Sequence, residues 1–235
     1  MTSSSISAKD NDINLFAQIH TTNHEQVVFC NDNDSGLKAI IAIHNTVLGP
    51  GLGGTRMWNY ASEAEALTDV LRLSRGMTYK AAISGLNLGG AKAVIIGDAS
   101  KDKSEALMRK FGRFVENLNG KYITAEDVGT DVNDMEFIFM ETDNVVGVAE
   151  THGGSGDPSP WTAKGVVEGL KACVEANMGS ADLKGLSVAV QGAGNVGGHL
   201  VELFCRAGMK VFVCDIDKIR CEWLVHLCKV LVKIV

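Results

Sequence analysis

Two lysines stand out in the stretch "GMTYKAAISGLNLGGAKAVIIG", which runs from Gly76 to Gly97. Glycine, alanine and aliphatic residues fill it, and no acidic residue lies between Lys80 and Lys92. An ammonium group is costly to bury unless it is paired or has lost its proton. The two lysines therefore either do charge chemistry in a crowded site or snorkel to water from the ends of a helix and a strand. A second feature is the G-x-G-x-x-G turn Gly192-Ala193-Gly194-Asn195-Val196-Gly197. It follows the apolar run "LSVAVQ" and opens a helical pattern, and Asp215 closes the next apolar run about 20 residues on. Glycines in that context let the backbone approach a pyrophosphate seated on a helix N-terminus. Asp215 would accept hydrogen bonds from ribose hydroxyls and repel the extra phosphate of NADP, so NAD is the expected cofactor. The alternative is a turn that only turns, with Asp215 a solvated residue at a strand end.

The elements that must position these residues follow from periodicity. "KAIIAIHNTV" (Lys38–Val47) is a strand, stopped by the loop "LGPGLGG". Ser62 and Glu65 have capping-box spacing and open a helix whose apolar stripe is Leu67, Val70, Leu71 and Met77. "AVIIG" (Ala93–Gly97) is a buried strand. A helix starts at Ser104, presents Leu107, Phe111, Phe114, Val115 and Leu118, and stops at Gly120. "KYITAEDVGT" is a short strand entering a polar loop, and "THGGSGDPSP" (Thr151–Pro160) marks a hinge. Beyond it come a helix near residues 162–177, a strand, a helix near 195–207 and another strand, the pattern of a parallel α/β sheet. The expected architecture is two α/β domains, residues 1–148 and 149–235, with a cleft between them.

Bulk properties narrow the function classes. The 235 residues carry a formal charge of −6 with no basic block, which argues against a nucleic-acid surface. No apolar run approaches the roughly 20 residues of a membrane span, and "MTSSSISAKDNDIN" lacks the pattern of a signal peptide. The six cysteines form no CxxC pair, as expected of reduced thiols in the cytoplasm. The histidines show no metal-ligand spacing, so no metal is expected.

Several segments in order, "LGPGLGGTRMW", "DVLRLSRGMTYKAA", "NLGGAKAVIIGD", "NGKYITAEDVGT", "SGDPSPWTAKG" and "VQGAGNVG", resemble the Glu/Leu/Phe/Val amino acid dehydrogenase family, and its leucine-type members most. The resemblance spans roughly residues 23 to 217. It implies an N-terminal α/β substrate-binding and oligomerisation domain followed by a partial Rossmann-type dinucleotide domain. The implied reaction is NAD-dependent oxidative deamination of a branched-chain L-amino acid by a homo-oligomer. Carried over by position, Lys80 binds the substrate carboxylate, Lys92 is catalytic, and Asp127 assists proton transfer and holds the amino group. Gly53 and Gly54 lie beside the substrate. Leu52 and Ala125 belong to its pocket, where alanine at 125 favours branched chains; Met77, from the helix stripe and not from the resemblance, is either a further pocket residue or core. Thr162 lies near the nicotinamide. In such a reaction Lys80 would be a fixed cation, whereas Lys92 must discharge to activate water. Arg56, Met57 and Glu126 are read as structural or surface residues.

Two departures from the family are visible. Ala91 stands where the family carries a third glycine before the catalytic lysine, so a methyl group there is expected to strain or crowd the site. The tail 218–235, "KIRCEWLVHLCKVLVKIV", does not resemble the family and reads as an altered frame or a truncation. Ile219, Trp223, Leu227, Val230 and Leu231 are its candidate apolar helix face. With about two strands before the tail, the dinucleotide sheet is expected to be left open at one edge and prone to associate.

Overall fold

The computed structural model describes residues 14–228 and 232–234. The chain divides between Gly156 and Asp157, inside the glycine- and proline-rich segment, into two compact units.

The first unit is built on a mixed sheet. A short helix α1 (Leu15–Thr22) precedes an antiparallel pair, β1 (Gln26–Asp32) and β2 (Leu37–Asn45). β3 (Gly51–Leu52) and β4 (Thr55–Trp58) follow, then the long helix α2 (Glu63–Ile83) and the central strand β5 (Gly89–Ile96). α3 (Glu105–Glu116), β6 (Tyr122–Ile123) and α4 (Val132–Phe139) complete the unit. β2 pairs β5 antiparallel, while β3 and β4 lie end to end along the other edge of β5, parallel to it. β6 pairs with the far side of β3. Side chains alternate across β5: Ala91, Ala93 and Ile95 enter a core under α3 and α4 with Phe111, Met135 and Ile138. Val94 enters the opposite core with Ala66, Leu67, Val70 and Leu71 of α2. Helices thus cover both faces of the sheet, which leaves Lys92 on the α2 face.

Local chemistry explains the boundaries. Ser62 Oγ accepts from the Glu65 N–H at 3.2 Å, while the Glu65 carboxylate reaches back to the Ala61 N–H at 2.7 Å. α2 runs past Met77, because no breaker intervenes before Gly85, whose φ is +67°. Its terminal part carries Lys80. α3 starts at the Ser104 cap as expected and ends before Asn119 and Gly120, both with positive φ. Five elements were not anticipated. α1 and β1 precede the first expected strand, and β3 and β4 occupy or follow the expected "LGPGLGG" loop. α4 begins at an Asp131/Asp134 capping box. In each case the elements are short, and tertiary pairing rather than periodicity defines them.

The second unit contains α5 (Ser159–Met178), β7 (Ser187–Gln191), α6 (Asn195–Arg206), β8 (Lys210–Cys214), α7 (Lys218–Cys228) and β9 (Val232–Ile234). Its strands are parallel in the order β7-β8-β9. The tail therefore extends the strand–helix–strand pattern, contrary to the expectation that the sheet has about two strands. The expected apolar face of α7 is also corrected: Ile219 is 77% and Trp223 63% exposed, whereas Cys221 and Leu224 are buried with Phe204 and Val213. The crossover between β8 and β9 decides which face the sheet covers, whatever the size of the side chains on the other face. Leu227, Val230 and Leu231 lie outside the residues whose side chains are described.

A pair of buried histidines ties the first unit together. His24 bridges Thr22 Oγ1 and Ser74 Oγ of α2, both at 2.8 Å. His44 donates from Nε2 to the Thr22 carbonyl and accepts at Nδ1 from Thr78 Oγ1. The two rings meet edge to face with centroids 4.8 Å apart. Burial, together with the facing His44, brings the His24 pKa down to about 4, and burial lowers that of His44 as well. An unfolded histidine titrates near 6.5, so the unfolded chain takes up the proton first. Stability from His24 is therefore complete above pH ~6.5 and lost as pH falls toward 4. Thermal melts should show Tm level near neutrality and falling through that window, and His24→Gln should flatten the fall. An unchanged slope in the variant would count against this linkage.

Candidate functional site

Three parallel backbones meet where Lys92 lies. Gly51 pairs with Gly89 and Thr55 with Ala93, so β3 and β4 keep one register along β5. That register sets Gly53 opposite Ala91 and Gly54 opposite Lys92. On the far side Gly51 pairs with Tyr122 and Thr55 bridges to Glu126, again in one register. Gly54 thus lies between Lys92 and the loop that carries Asp127. A Cβ on Gly54 would come within 2.4 Å of the Glu126 carbonyl oxygen and 3.1 Å of the Asp127 Cβ. A Cβ on Gly53 would come within 1.7 Å of the Ala91 carbonyl oxygen. The glycine pair is therefore required by the convergence itself, independently of any ligand.

Across that bare position Lys92 Nζ reaches Asp127 Oδ1 at 3.2 Å. The Lys92 side chain is 6% exposed and that of Asp127 25%. Asp127 Oδ2 accepts from Arg56 Nε at 2.8 Å, and the Asp127 N–H donates to Thr130 Oγ1. Burial lowers the Lys92 pKa against the opposing pull of Asp127. Burial alone would raise Asp127, but the Lys92 and Arg56 charges more than offset it and hold the carboxyl ionised. Desolvation and the Asp127 charge thus act on Lys92 in opposite directions.

The other sequence-derived residues of the first unit lie on the neighbouring elements. Lys80 is exposed on the last turn of α2 and makes no ion pair among the described residues. α2 crosses β5 just before it: a Cβ on Gly90 would meet the Thr78 backbone nitrogen at 2.1 Å. Met77 is half-buried on α2, and Leu52 is half-buried in β3. Ala125, also half-buried, accepts at its carbonyl from the Thr55 N–H at 2.8 Å. Ala91 causes neither strain nor crowding. It is absent from the positive-φ residues and its methyl is buried in the opposite core, away from the Lys92 face. The expected penalty of that departure is overturned, because strand alternation directs the methyl away from the lysine.

In the second unit the three glycines of the turn have distinct duties. Gly192 has φ +100°, which only glycine adopts readily. A Cβ on Gly197 would meet the Gly192 carbonyl oxygen at 1.9 Å, so this glycine lets α6 pack on the turn. Gly194 caps α6, no side chain caps that helix, and nothing but Arg220 approaches the Gly194 Cβ position, at 3.9 Å. Helix N–H groups free of a side-chain cap beside an open glycine suit a pyrophosphate. Asn195 and Val196 begin the helix. Asp215 accepts from the Ala193 N–H at 2.5 Å and the Asp217 N–H at 2.8 Å. Those backbone bonds hold its pKa below the usual range, and an ionised carboxylate keeps lone pairs for further donors. Thr162 is exposed on α5, its hydroxyl donating to the Pro158 carbonyl.

Sequence reading missed Asp69 and Tyr60 and assigned Arg56 no chemistry. Arg56 Nη1 donates to Asp69 Oδ2 at 2.9 Å, and the Tyr60 hydroxyl donates to the same oxygen at 2.7 Å. The available signal was alternation: Arg56 falls on the same strand face as the gap at Gly54.

Residues 24–144 match the family model described as Glu/Leu/Phe/Val dehydrogenase, dimerisation domain, and residues 153–217 match that of Glutamate/Leucine/Phenylalanine/Valine dehydrogenase. The leucine dehydrogenase of Geobacillus stearothermophilus is 60% identical over 204 residues, covering 87% of this chain and 56% of the relative. The phenylalanine dehydrogenase of Lysinibacillus sphaericus is 53% identical over 212 residues, covering 90% and 55%. The crystal structure of L-tryptophan dehydrogenase from Nostoc punctiforme is similar at a TM-score of 0.67 and 44% identity, covering 94% of this chain and 62% of that one. The chain thus spans about half the length of the curated relatives it matches. The convergence at Gly53 can be tested apart from any activity. Gly53→Ala should lower stability by about 2 kcal/mol or more. Gly76→Ala, on the open face of α2, should raise it by about 0.5–1 kcal/mol. Denaturant unfolding of the two variants checks the contrast.

Proposed function

Because this chain belongs to the Glu/Leu/Phe/Val dehydrogenase family, we propose that it carries out the NAD-dependent oxidative deamination of a branched-chain L-amino acid of the leucine type. The products are the 2-oxo acid, ammonia and NADH. The observation that carries this reading is the buried Lys92–Asp127 pair, formed across Gly54 on the sheet face covered by the helix that bears Lys80. High identity to leucine dehydrogenases supports the substrate class. The site belongs to the family's dimerisation domain, which supports a homo-oligomer.

Each residue has a task fitted to its surroundings. Lys80, a cation with no protein partner among the described residues, binds the substrate carboxylate. Asp127, held ionised by two cations, accepts hydrogen bonds from the substrate amino group. Lys92, entering the step in its neutral form, takes a proton from water as that water's oxygen bonds to the oxidised Cα. Leu52, Met77 and Ala125 line the side-chain pocket, and Gly53 and Gly54 leave room beside it. Gly192 to Gly197 hold the pyrophosphate, Asp215 takes the ribose hydroxyls and thereby favours NAD, and Thr162 faces the nicotinamide end. When bound, the nicotinamide accepts the hydrogen and electron pair that leave Cα. Phenylalanine dehydrogenases at 53% identity support a second reading in which the side chain is aromatic.

The test uses the full chain with L-leucine and NAD at alkaline pH, followed by NADH absorbance. Turnover is expected, faster with branched-chain substrates than with L-phenylalanine. The reverse order would favour the second reading, and no NADH from well-folded protein would overturn the enzyme assignment in favour of a binding or oligomerisation module. Lys92→Ala should reduce kcat by roughly 10²–10⁴-fold with NAD affinity unchanged by calorimetry. Lys80→Ala should chiefly raise KM.

A further inference from the structure

Five polar groups form one line on the α2 face of the first unit: Tyr60, Asp69, Arg56, Asp127 and Lys92. Asp69 belongs to α2, Arg56 to β4, Asp127 to the loop after β6 and Lys92 to β5, so the line ties four elements together. We propose that Arg56 is a positioning residue, which takes one oxygen of Asp127 so that Lys92 meets only the other. This rests on the catalytic reading of Lys92 and assigns Arg56 a part in the same site.

The geometry carries the assignment. The Arg56 Nε contact with Oδ2 is 2.8 Å, shorter than the 3.2 Å between Lys92 and Oδ1. Arg56 is in turn fixed from behind, since its Nη1 is held by Asp69, and Asp69 by the Tyr60 hydroxyl. A guanidinium is always charged and offers several fixed donors, so with Nε on Asp127 and Nη1 on Asp69 it holds Oδ2 of Asp127 in place as well as supplying a charge. Without it, the carboxylate could rotate and give both oxygens to Lys92, and the resulting tight ion pair would keep the lysine protonated. Arg56 opposes that outcome twice, by sharing the carboxylate and by adding a second positive charge beside Lys92. The charges facing Lys92 act in opposite directions: Asp127 and Asp69 favour its protonated form, and Arg56 disfavours it. Farther along α2, Glu65 and Arg72 line an open cavity of about 670 Å³ with Arg56, Trp58, Tyr60 and Asp69. That cavity lets water screen the Asp69 end of the line, while Lys92 remains dry.

The proposal separates from a merely structural role by the direction of two pH shifts. In the full chain, Arg56→Met should move the acidic limb of kcat/KM upward by about one pH unit, with most of the rate recovered at high pH. Arg56→Lys restores the charge without the fixed donors and should recover part of that shift. Asp69→Asn removes a negative charge and should move the limb the opposite way. The ¹³Cε shift of Lys92, identified by its loss in Lys92→Ala, follows the same titration without turnover. Rate losses in Arg56→Met that are equal at every pH, or a Lys92 titration unmoved by it, would overturn the proposal. If the wild type turns over no amino acid but Arg56→Met still raises the Lys92 titration, the positioning role stands and the dehydrogenase reading fails.

Discussion

The first unit is organised by one constraint: a lysine on one strand must meet an aspartate from a segment two backbones away. A side chain on the intervening strand would block that meeting, and Gly54 removes it. Once Lys92 and Asp127 are joined across this gap, other features follow as requirements. β5 must present Lys92 toward α2, so Ala91 and Ala93 point into the opposite core. β3 and β4 must keep a single register on both sides, so the chain between them cannot bulge. The carboxylate must be shared with Arg56, which couples the pair to α2 through Asp69.

What could be read from the sequence divides along physical lines. Long periodic elements were legible because hydrophobic spacing alone determines them: α2, α3, α6 and the strands β2, β7 and β8 lie close to where the pattern puts them. The short pieces were not. β3, β4 and α4 exist because neighbouring backbones pair with or cap them, and no window within each segment contains that information. The amphipathic face assigned to α7 failed for a related reason. Periodicity offers two apolar stripes there, and only the packed sheet chooses between Trp223 and Leu224.

At the site, residue types were legible and partnerships were not. Lys80 and Lys92 looked alike in sequence, both without an acidic neighbour. The fold separates them, one exposed on a helix end and the other buried against Asp127. The partner of Lys92 was itself named from sequence, but Arg56 passed as structural because its two carboxylates come from distant segments. In the second unit the glycine turn lies between β7 and α6, where the pattern puts it. The atomic reason for each glycine, positive φ at Gly192 and close helix approach at Gly197, needed coordinates.

The unbroken register of β3 and β4 between their neighbours has a consequence for how this protein can vary. Because side chains alternate along a strand, deleting or inserting one residue between Pro50 and Arg56 would turn the guanidinium to the opposite face and put a side chain in the gap that Gly54 leaves. Length changes are therefore excluded from this short segment. They are more tolerable in the exposed turn near Lys101, whose internal bonds around Asp98 are local. The evolutionary freedom of the scaffold lies in its outer turns, while the count of residues in this central ribbon is frozen.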